Sequence, residues 1–362
     1  MNKLYNPNHI DFSIEPLMFG TGRNISRLDL SIEEWLVKAK DRLLGKLWFP
    51  SDFDLSKAAA DYLYVAEKLQ ILYLKNLKFQ TELDSIAARS ITELFLPVTT
   101  NPQLEAWWIV HSFTELNHSQ SYADIIKCLP VNAKLEFDTI MDDINIQARA
   151  SSLITIFEAM YKYNAKMINN AVDYDVEVHK YHMIKSLFAF VILENMLFDT
   201  SFNTTFAFAE NNLFDGPAKI VTKINADETS HYSTIIYLVN RFRRDPAYKY
   251  IFETNKAEFQ QMFHDAYLAD LDWIDYCYPD DDTRLLGMNN AAAKQYSQFN
   301  TFNTMSAVGL EPTVTKCDNP IKWVSKYKSL ENMQVAQKET SGTNYIVGQL
   351  KRDMTDEDWG NL

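Results

Sequence analysis

The sequence predicts an all-α protein, a bundle of long helices around one large core. Three observations carry this expectation. Gly and Pro are scarce, 9 and 11 in 362 residues, so little punctuates the chain into turns and short strands. Apolar residues make up 47% of the chain and aromatic residues 13%, enough for a substantial interior. Apolar positions also recur at helical spacing over stretches far longer than a strand, with no strand-rich region and no repeat of solenoid period.

The same composition excludes several classes. A formal net charge of −13 leaves no basic footprint for nucleic acid or an anionic membrane surface. Cys128, Cys277 and Cys317 are odd in number and scattered, with no Cys-x-x-Cys. Neither a disulfide framework nor a thiolate zinc site is expected, and a reducing compartment suits them. Residues 1–17 lack the apolar stretch of a signal peptide, and the longest apolar run, 187–193, is too short to span a bilayer. The expectation is a soluble cytoplasmic protein, in the host cytoplasm if the source is viral, that binds neither nucleic acid nor membrane.

Taken in order, residues 1–30 read as an irregular arm, 31–300 as the helical domain and 301–362 as a C-terminal extension with a flexible tail. Ser31 with Glu34 forms a capping box, and the helix it opens runs through Leu36, Ala39, Leu43 and Leu47 to Pro50. Trp48 at its end, taken alone, is a core aromatic. A second helix over 56–89 puts Leu77, Gln80, Thr81, Asp84 and Ala88 on one face; from that segment alone Asp84 reads as a solvated carboxylate. Pro102 opens a third helix that reaches about Leu129.

A fourth helix covers roughly 134–170. His179 and His182 follow at i, i+3, but no carboxylate lies on the matching face and the pair reads as structural. The stretch 181–200 is apolar on all sides at its centre, the mark of a buried helix. Glu194 within it is therefore a carboxylate in a place where an unpaired one is costly. Phe198 and Phe202 give it a dry aromatic flank. Asp215-Gly216-Pro217 starts a helix to about Phe242 that carries Ile224, Asp227, Glu228 and His231. Two more helices are expected at 249–279 and 285–298, before the composition turns to Thr, Asn, Ser and Lys.

On the third helix Glu115, His118 and Tyr122 share one narrow stripe. His118 lies about 60° from Glu115 on a helical wheel and Tyr122 about 20° from it. A second Glu-x-x-His occurs at Glu228 and His231. Asp84 precedes Glu115 by 31 residues and Glu194 precedes Glu228 by 34, gaps that let one helix fold back on the next. With 7 His in the chain, two Glu-x-x-His matches alone are weak; with paired upstream carboxylates on apolar helices they are strong. Four carboxylates and two imidazoles meeting inside four helices are the ligand set of a carboxylate-bridged di-metal site in a ferritin-like bundle. Mixed oxygen and nitrogen ligation suits iron or manganese. Tyr122 sits one turn beyond His118, with Phe198, Phe202 and Ile224 available to wall it off. A phenol in a dry pocket can be oxidised and persist as a radical; the plainer alternative is a hydrogen-bonded core tyrosine.

At this point the chain resembles the small, radical-generating (beta) subunit of class I ribonucleotide reductase, of the tyrosyl-radical di-iron type. The likeness rests on Glu15-Pro-Leu-Met-Phe-Gly20, Leu77–Ile86, Phe113–Tyr122, Glu194 with Phe198 and Phe202, Asp227-Glu-Thr-Ser-His231 and Tyr345-Ile-Val-Gly-Gln349. It implies two iron ions per chain, with manganese possible and O2 for activation: Asp84, Glu115 and His118 around one ion, Glu194, Glu228 and His231 around the other. It implies a stored radical on Tyr122, a transfer route through Trp48 and Asp227, and a handover through Glu339 and Tyr345 to a large subunit that reduces ribonucleotides. The tail, 355–362, would dock on that subunit, and a homodimer and a reductant for activation are implied as well. Two positions depart from the family pattern: Ala87 stands where Gln is common, and Ala226 where Arg is expected before Asp227. The alternatives are a ferritin-like di-iron oxidase or oxygenase acting on a small molecule, and a non-catalytic iron-binding protein.

Overall fold

The computed structural model describes residues 4–30 and 32–328. Ser31 of the expected capping box, and Glu339, Tyr345 and the tail, lie outside them. Among the described residues no strand forms; only two isolated bridges occur, Met18 with Thr99 and Leu285 with Met288. No described helix is long and apolar enough to cross a membrane.

Helix α1 (Glu34–Gly45) turns Leu36, Ala39 and Leu43 inward and stops short of Pro50, leaving Leu47 exposed. The helix expected over 56–89 is two, α2 (Ala58–Tyr64) and α3 (Glu67–Ser90), divided by extended backbone at Val65 and Ala66. No Gly or Pro marks that break. Gln70 holds it, with Nε2 donating to Tyr62 O at 2.9 Å and Val65 O at 3.1 Å, carbonyls that the end of α2 leaves free. Helix α4 (Pro102–Cys128) begins where expected, capped by the Asn101 side chain. The stretch 134–170 also divides, into α5 (Ala133–Asp138) and α6 (Ile144–Ile168), because Asp143 caps α6 by accepting from the Asn145 and Ile146 amides.

Helix α7 (Val176–Val191) runs into a π-helical turn at Ile192–Leu197 and then into α8 (Phe198–Glu210). Helix α9 (Asp215–Arg244) starts at a crowded corner: a Cβ on Gly216 would collide with Asp54 O, so only Gly fits. Then follow α10 (Lys249–Thr254), α11 (Lys256–Cys277), α12 (Asn290–Ala307) and α13 (Ser325–Lys328).

Helix α12 corrects the expectation of 285–298. It begins later and continues through Asn300, Thr301 and Thr304, residues whose polarity reads as the end of a helix. These side chains are buried against the π turn. Asn195 Nδ2 donates to Asn300 Oδ1 at 3.1 Å and to Thr304 Oγ1 at 2.7 Å, so tertiary hydrogen bonds replace the apolar face that periodicity looks for.

Helices α3 and α4 pack along each other, α9 packs on α7 and α8, and α4 and α3 reach across to α9 and α8. Helix α1 covers α4 and α9, while α6, α11 and α12 close the far side. There the buried Arg149 pairs with Asp270 and lies over the Phe79 ring at 3.9 Å, a charge fully enclosed but matched. The four central elements, α3, α4, the π turn and α9, are those that carry the paired carboxylates and imidazoles.

Candidate metal centre

Each central element delivers its groups from a fully buried position. Asp84 comes from α3, Glu115 and His118 from α4, Glu194 from the π turn, and Glu228 and His231 from α9, all at 3% exposure or less. The solvated reading of Asp84 is corrected: it is 0% exposed. A π turn is wider than an α turn and recurs at functional sites. Here it falls on Glu194, where Phe198 N–H reaches back to Leu193 O.

Two ligand groups form, each with its atoms within 4.8 Å of one another: Asp84, Glu115, His118 and Glu228, and His111, Glu115, Glu194 and His231. Glu115 belongs to both. Glu228 also spans them, with Oε1 3.1 Å from His118 Nδ1 and Oε2 3.3 Å from His231 Nδ1. The division into Asp84/Glu115/His118 and Glu194/Glu228/His231 is thus less sharp than expected.

Both imidazoles aim Nδ1 inward, and the outer nitrogens fix them. His231 Nε2 lies 2.9 Å from Thr114 Oγ1, whose own hydrogen goes to His111 O at 2.7 Å. The imidazole must therefore donate there, which turns Nδ1 towards the carboxylates. His118 Nε2 donates to Asp227 Oδ2 at 3.2 Å with the same result. Outer hydrogen bonds of this kind orient metal-binding histidines.

The donor set fits cations. Both oxygens of Asp84 and of Glu115, Glu194 Oε2, Glu228 Oε1 and His118 Nδ1 have no hydrogen-bond partner among the described residues. Burial and neighbouring carboxylates push Asp84 well above the usual range and raise Glu194; Glu228 is pushed up to about 8. Burial would raise Glu115 too, but His231 and the other imidazoles hold it well below the usual range. His118 and His231, against the cost of burial, are held well above theirs by the carboxylates. Four carboxylates balance the charge of two divalent ions, and orphaned buried oxygens are costly without them.

Tyr122 is 0% exposed, and its hydroxyl has no hydrogen-bond partner among the described residues. Burial, then Asp84, raises its pKa well above the usual range, so it stays a neutral phenol. Phe198, Phe202 and Ile224 are all buried, the two rings stacked at 5.5 Å. On the other side of His118, Trp48 Nε1 donates to Asp227 Oδ2 at 2.8 Å, the oxygen that His118 also reaches. The indole stacks on that imidazole at 6.0 Å and 16°. Ala226 lines a crevice of about 30 Å³ beside Trp48 and Asp227, together with Arg42, Lys46 and Lys223. Cations from α1 and from one turn earlier on α9 thus stand where Ala226 supplies none. Ala87 is buried in α3 and touches none of the ligands' hydrogen bonds.

The structure adds one group that the sequence reading passed over, His111. It lies four residues before Glu115, about 40° away on the same wheel, and that spacing was the available signal. His179 and His182 stay apart from the cluster, as their lack of a carboxylate partner predicts: His179 bonds Asn164 Oδ1 at 2.9 Å and the Tyr174 hydroxyl at 3.2 Å.

A bundle that encloses paired carboxylate–histidine ligand groups, with a buried tyrosine one turn away, defines a di-metal protein of the ferritin-like class. Comparison with known proteins places it further. The profile of the family "Ribonucleotide reductase, small chain" matches residues 32–320. The beta subunit of ribonucleoside-diphosphate reductase 1 from Escherichia coli O157:H7 is 31% identical over 361 residues, covering 96% of both chains. The R2 subunit of ribonucleotide reductase from Clostridium botulinum superposes with a TM-score of 0.77 at 19% identity, over 91% of this chain and 98% of the other. The dimanganese(II)-NrdF of Streptococcus sanguinis has the same fold, with a TM-score of 0.69 at 19% identity over 84% of this chain and 98% of the other. The chain belongs to the ribonucleotide reductase small-chain family.

Proposed function

We propose that this chain, as the small subunit of a class I ribonucleoside-diphosphate reductase, generates a radical on Tyr122 and stores it for export to the large subunit. The observation that carries the reading is the Tyr122 phenol: fully buried, without a hydrogen-bond partner among the described residues, and one turn from His118 in the ligand cluster. Asp84, Glu115, His118, Glu194, Glu228 and His231 are assigned as the ligands of two ions. Two redox-active ions bound there would supply, with O2, the oxidising equivalent. The chain does the rest. Tyr122 would give up one electron to that oxidant and pass its phenolic proton towards Asp84, the carboxylate that most affects it. Phe198, Phe202 and Ile224 keep water and reductants away from the product.

Export uses the other side of the cluster. His118, Asp227 and Trp48 form one hydrogen-bonded line from the ligand cluster to the small crevice beside α1. Asp227 accepts from both rings, so a proton can shift along the line as an electron moves. Glu339, Tyr345 and the tail 355–362 would carry the equivalent onward and dock on the large subunit. Iron is the assigned metal because an oxidisable phenol, Tyr122, stands beside the cluster; manganese is the alternative, as in the dimanganese(II)-NrdF of Streptococcus sanguinis. The exposed apolar row Ile109, Phe113 and Leu116 on α4 is assigned to contact with a second copy of the chain. A Phe113→Asp variant that still sediments as a dimer would remove that assignment.

The test is an electron paramagnetic resonance spectrum after Fe(II) and O2 are added to metal-free protein, beside Tyr122→Phe. The expected result is an organic radical signal in the parent alone. Iron uptake and oxidation with no such signal would overturn the radical assignment for the iron form.

A further inference from the structure

We infer that His111 is a seventh metal ligand, binding through Nε2 the ion held by Glu115, Glu194 and His231. This rests on the di-metal reading above and adds to it a residue outside the two Glu-x-x-His motifs.

Three observations converge. First, the polar contacts of the ring all face the cluster: Nε2 lies 3.0 Å from Glu115 Oε1 and 3.2 Å from Glu194 Oε1, while Nδ1 has no hydrogen-bond partner among the described residues. His179, by contrast, spends its nitrogens on the neutral partners Asn164 and Tyr174. Second, the 3.0 Å approach to Glu115 is not an aligned hydrogen bond, since neither Glu115 oxygen has a hydrogen-bond partner among the described residues. Two atoms each about 2.1 Å from a common ion and at right angles lie about 3 Å apart, so the spacing suits neighbouring ligands. His231 Nδ1 keeps the same spacing, 2.9 Å, to the same oxygen. Third, the two imidazoles lie with ring centres 3.7 Å apart at 30°, and both present a nitrogen to Glu115 and Glu194. Two cationic rings at that distance would repel; two neutral rings sharing an ion do not.

Packing holds the ring in this pose. Trp107 and Trp108 flank it at 4.9 Å and 6.0 Å between ring centres, and Phe190 closes the edge at 6.3 Å. The half-site next to the π turn therefore has two nitrogen ligands and the Asp84 half-site one. That asymmetry makes the two ions inequivalent. The nitrogen-rich half favours iron over manganese more than its neighbour does.

The probe is Co(II) alone, read by proton nuclear magnetic resonance on the full chain. Paramagnetic Co(II) shifts the outer N–H of every imidazole that binds it far from the diamagnetic range. Three such exchangeable resonances are expected in the parent, from His111, His118 and His231. In His111→Gln one should vanish while two persist, with the affinity for the second ion reduced roughly ten-fold or more. Far-ultraviolet circular dichroism of the metal-free variant establishes that it folds. Two resonances in the parent, or three retained in His111→Gln, would overturn the assignment and leave the di-metal reading in place. Failure of the parent to bind two Co(II) ions would instead overturn that reading itself.

Discussion

His118 and His179 are equally buried, both at 0% exposure, and each has another ionisable residue three positions away. Their surroundings separate them. His118 faces Glu115 and Glu228 and leans on Asp227, and these carboxylates hold it well above the usual imidazole range against the cost of burial. His179 meets an amide oxygen and a phenol; burial, then His182, pushes it down to about 4. The amide that it orients, Asn164, donates to Glu93 O at 2.7 Å and Leu94 O at 2.9 Å, securing the turn after α3. One imidazole is poised to bind a cation and the other is a strut. Spacing alone does not distinguish a ligand from a strut; the charge of the partners does.

Breaking the cluster at its shared member should have the largest effect. Glu115 meets His111, His118 and His231, so Glu115→Gln should lower metal stoichiometry from two ions per chain and abolish the Tyr122 radical. Metal analysis beside the paramagnetic resonance signal checks this. A Glu115→Gln variant with two tightly bound ions would show that the carboxylates around it suffice.

Asp227→Asn is expected to act next most strongly. It keeps the ligands, so metal content and radical yield should hold. Turnover with the large subunit should fall by roughly a hundred-fold, because the line loses the carboxylate charge and the proton acceptor that both rings share, an amide oxygen being a weaker acceptor that takes up no proton. Normal turnover in that variant would remove Trp48 and Asp227 from the export route.

The strut should answer with stability alone. His179→Gln loses up to two buried hydrogen bonds, about 1–3 kcal/mol, with metal stoichiometry unchanged. Acid sharpens the contrast. The folded pKa of His179, about 4, is below the unfolded value of about 6.5, so the unfolded chain binds the extra proton between them. Its contribution is full above about pH 6.5 and is lost as pH falls towards 4, by at most about 1.4 kcal/mol per unit. Denaturant titrations across that range should show the parent losing this advantage over His179→Gln; parallel curves would mean that His179 is not held neutral.

Much of this was legible in the sequence because long helices concentrate information. Glu115, His118 and Tyr122 declared a stripe by spacing, and Glu194 stood out against an apolar run. What was not legible depends on partners distant in the chain. Asp84 looked solvated because only tertiary packing shows that its face is covered. The breaks after Tyr64 and Asp138 are set by Gln70 and Asp143 hydrogen bonds, without Gly or Pro to announce them. Helix α12 hid behind Asn300 and Thr304, whose polarity is matched by Asn195. His111 had the right spacing, but its place against the cluster shows only once α9 brings the His231 ring to 3.7 Å from it.

The central claim is that two ions sit where buried oxygens lack hydrogen-bond partners among the described residues. Crystals of the chain loaded with Fe(II) or Mn(II), with anomalous diffraction at each metal edge, test it most directly. The account predicts two peaks, one among Asp84, Glu115, His118 and Glu228 and one among His111, Glu115, Glu194 and His231, with none at His179 and His182. A single peak in the cluster, or a metal at His179 with the cluster empty, would contradict it.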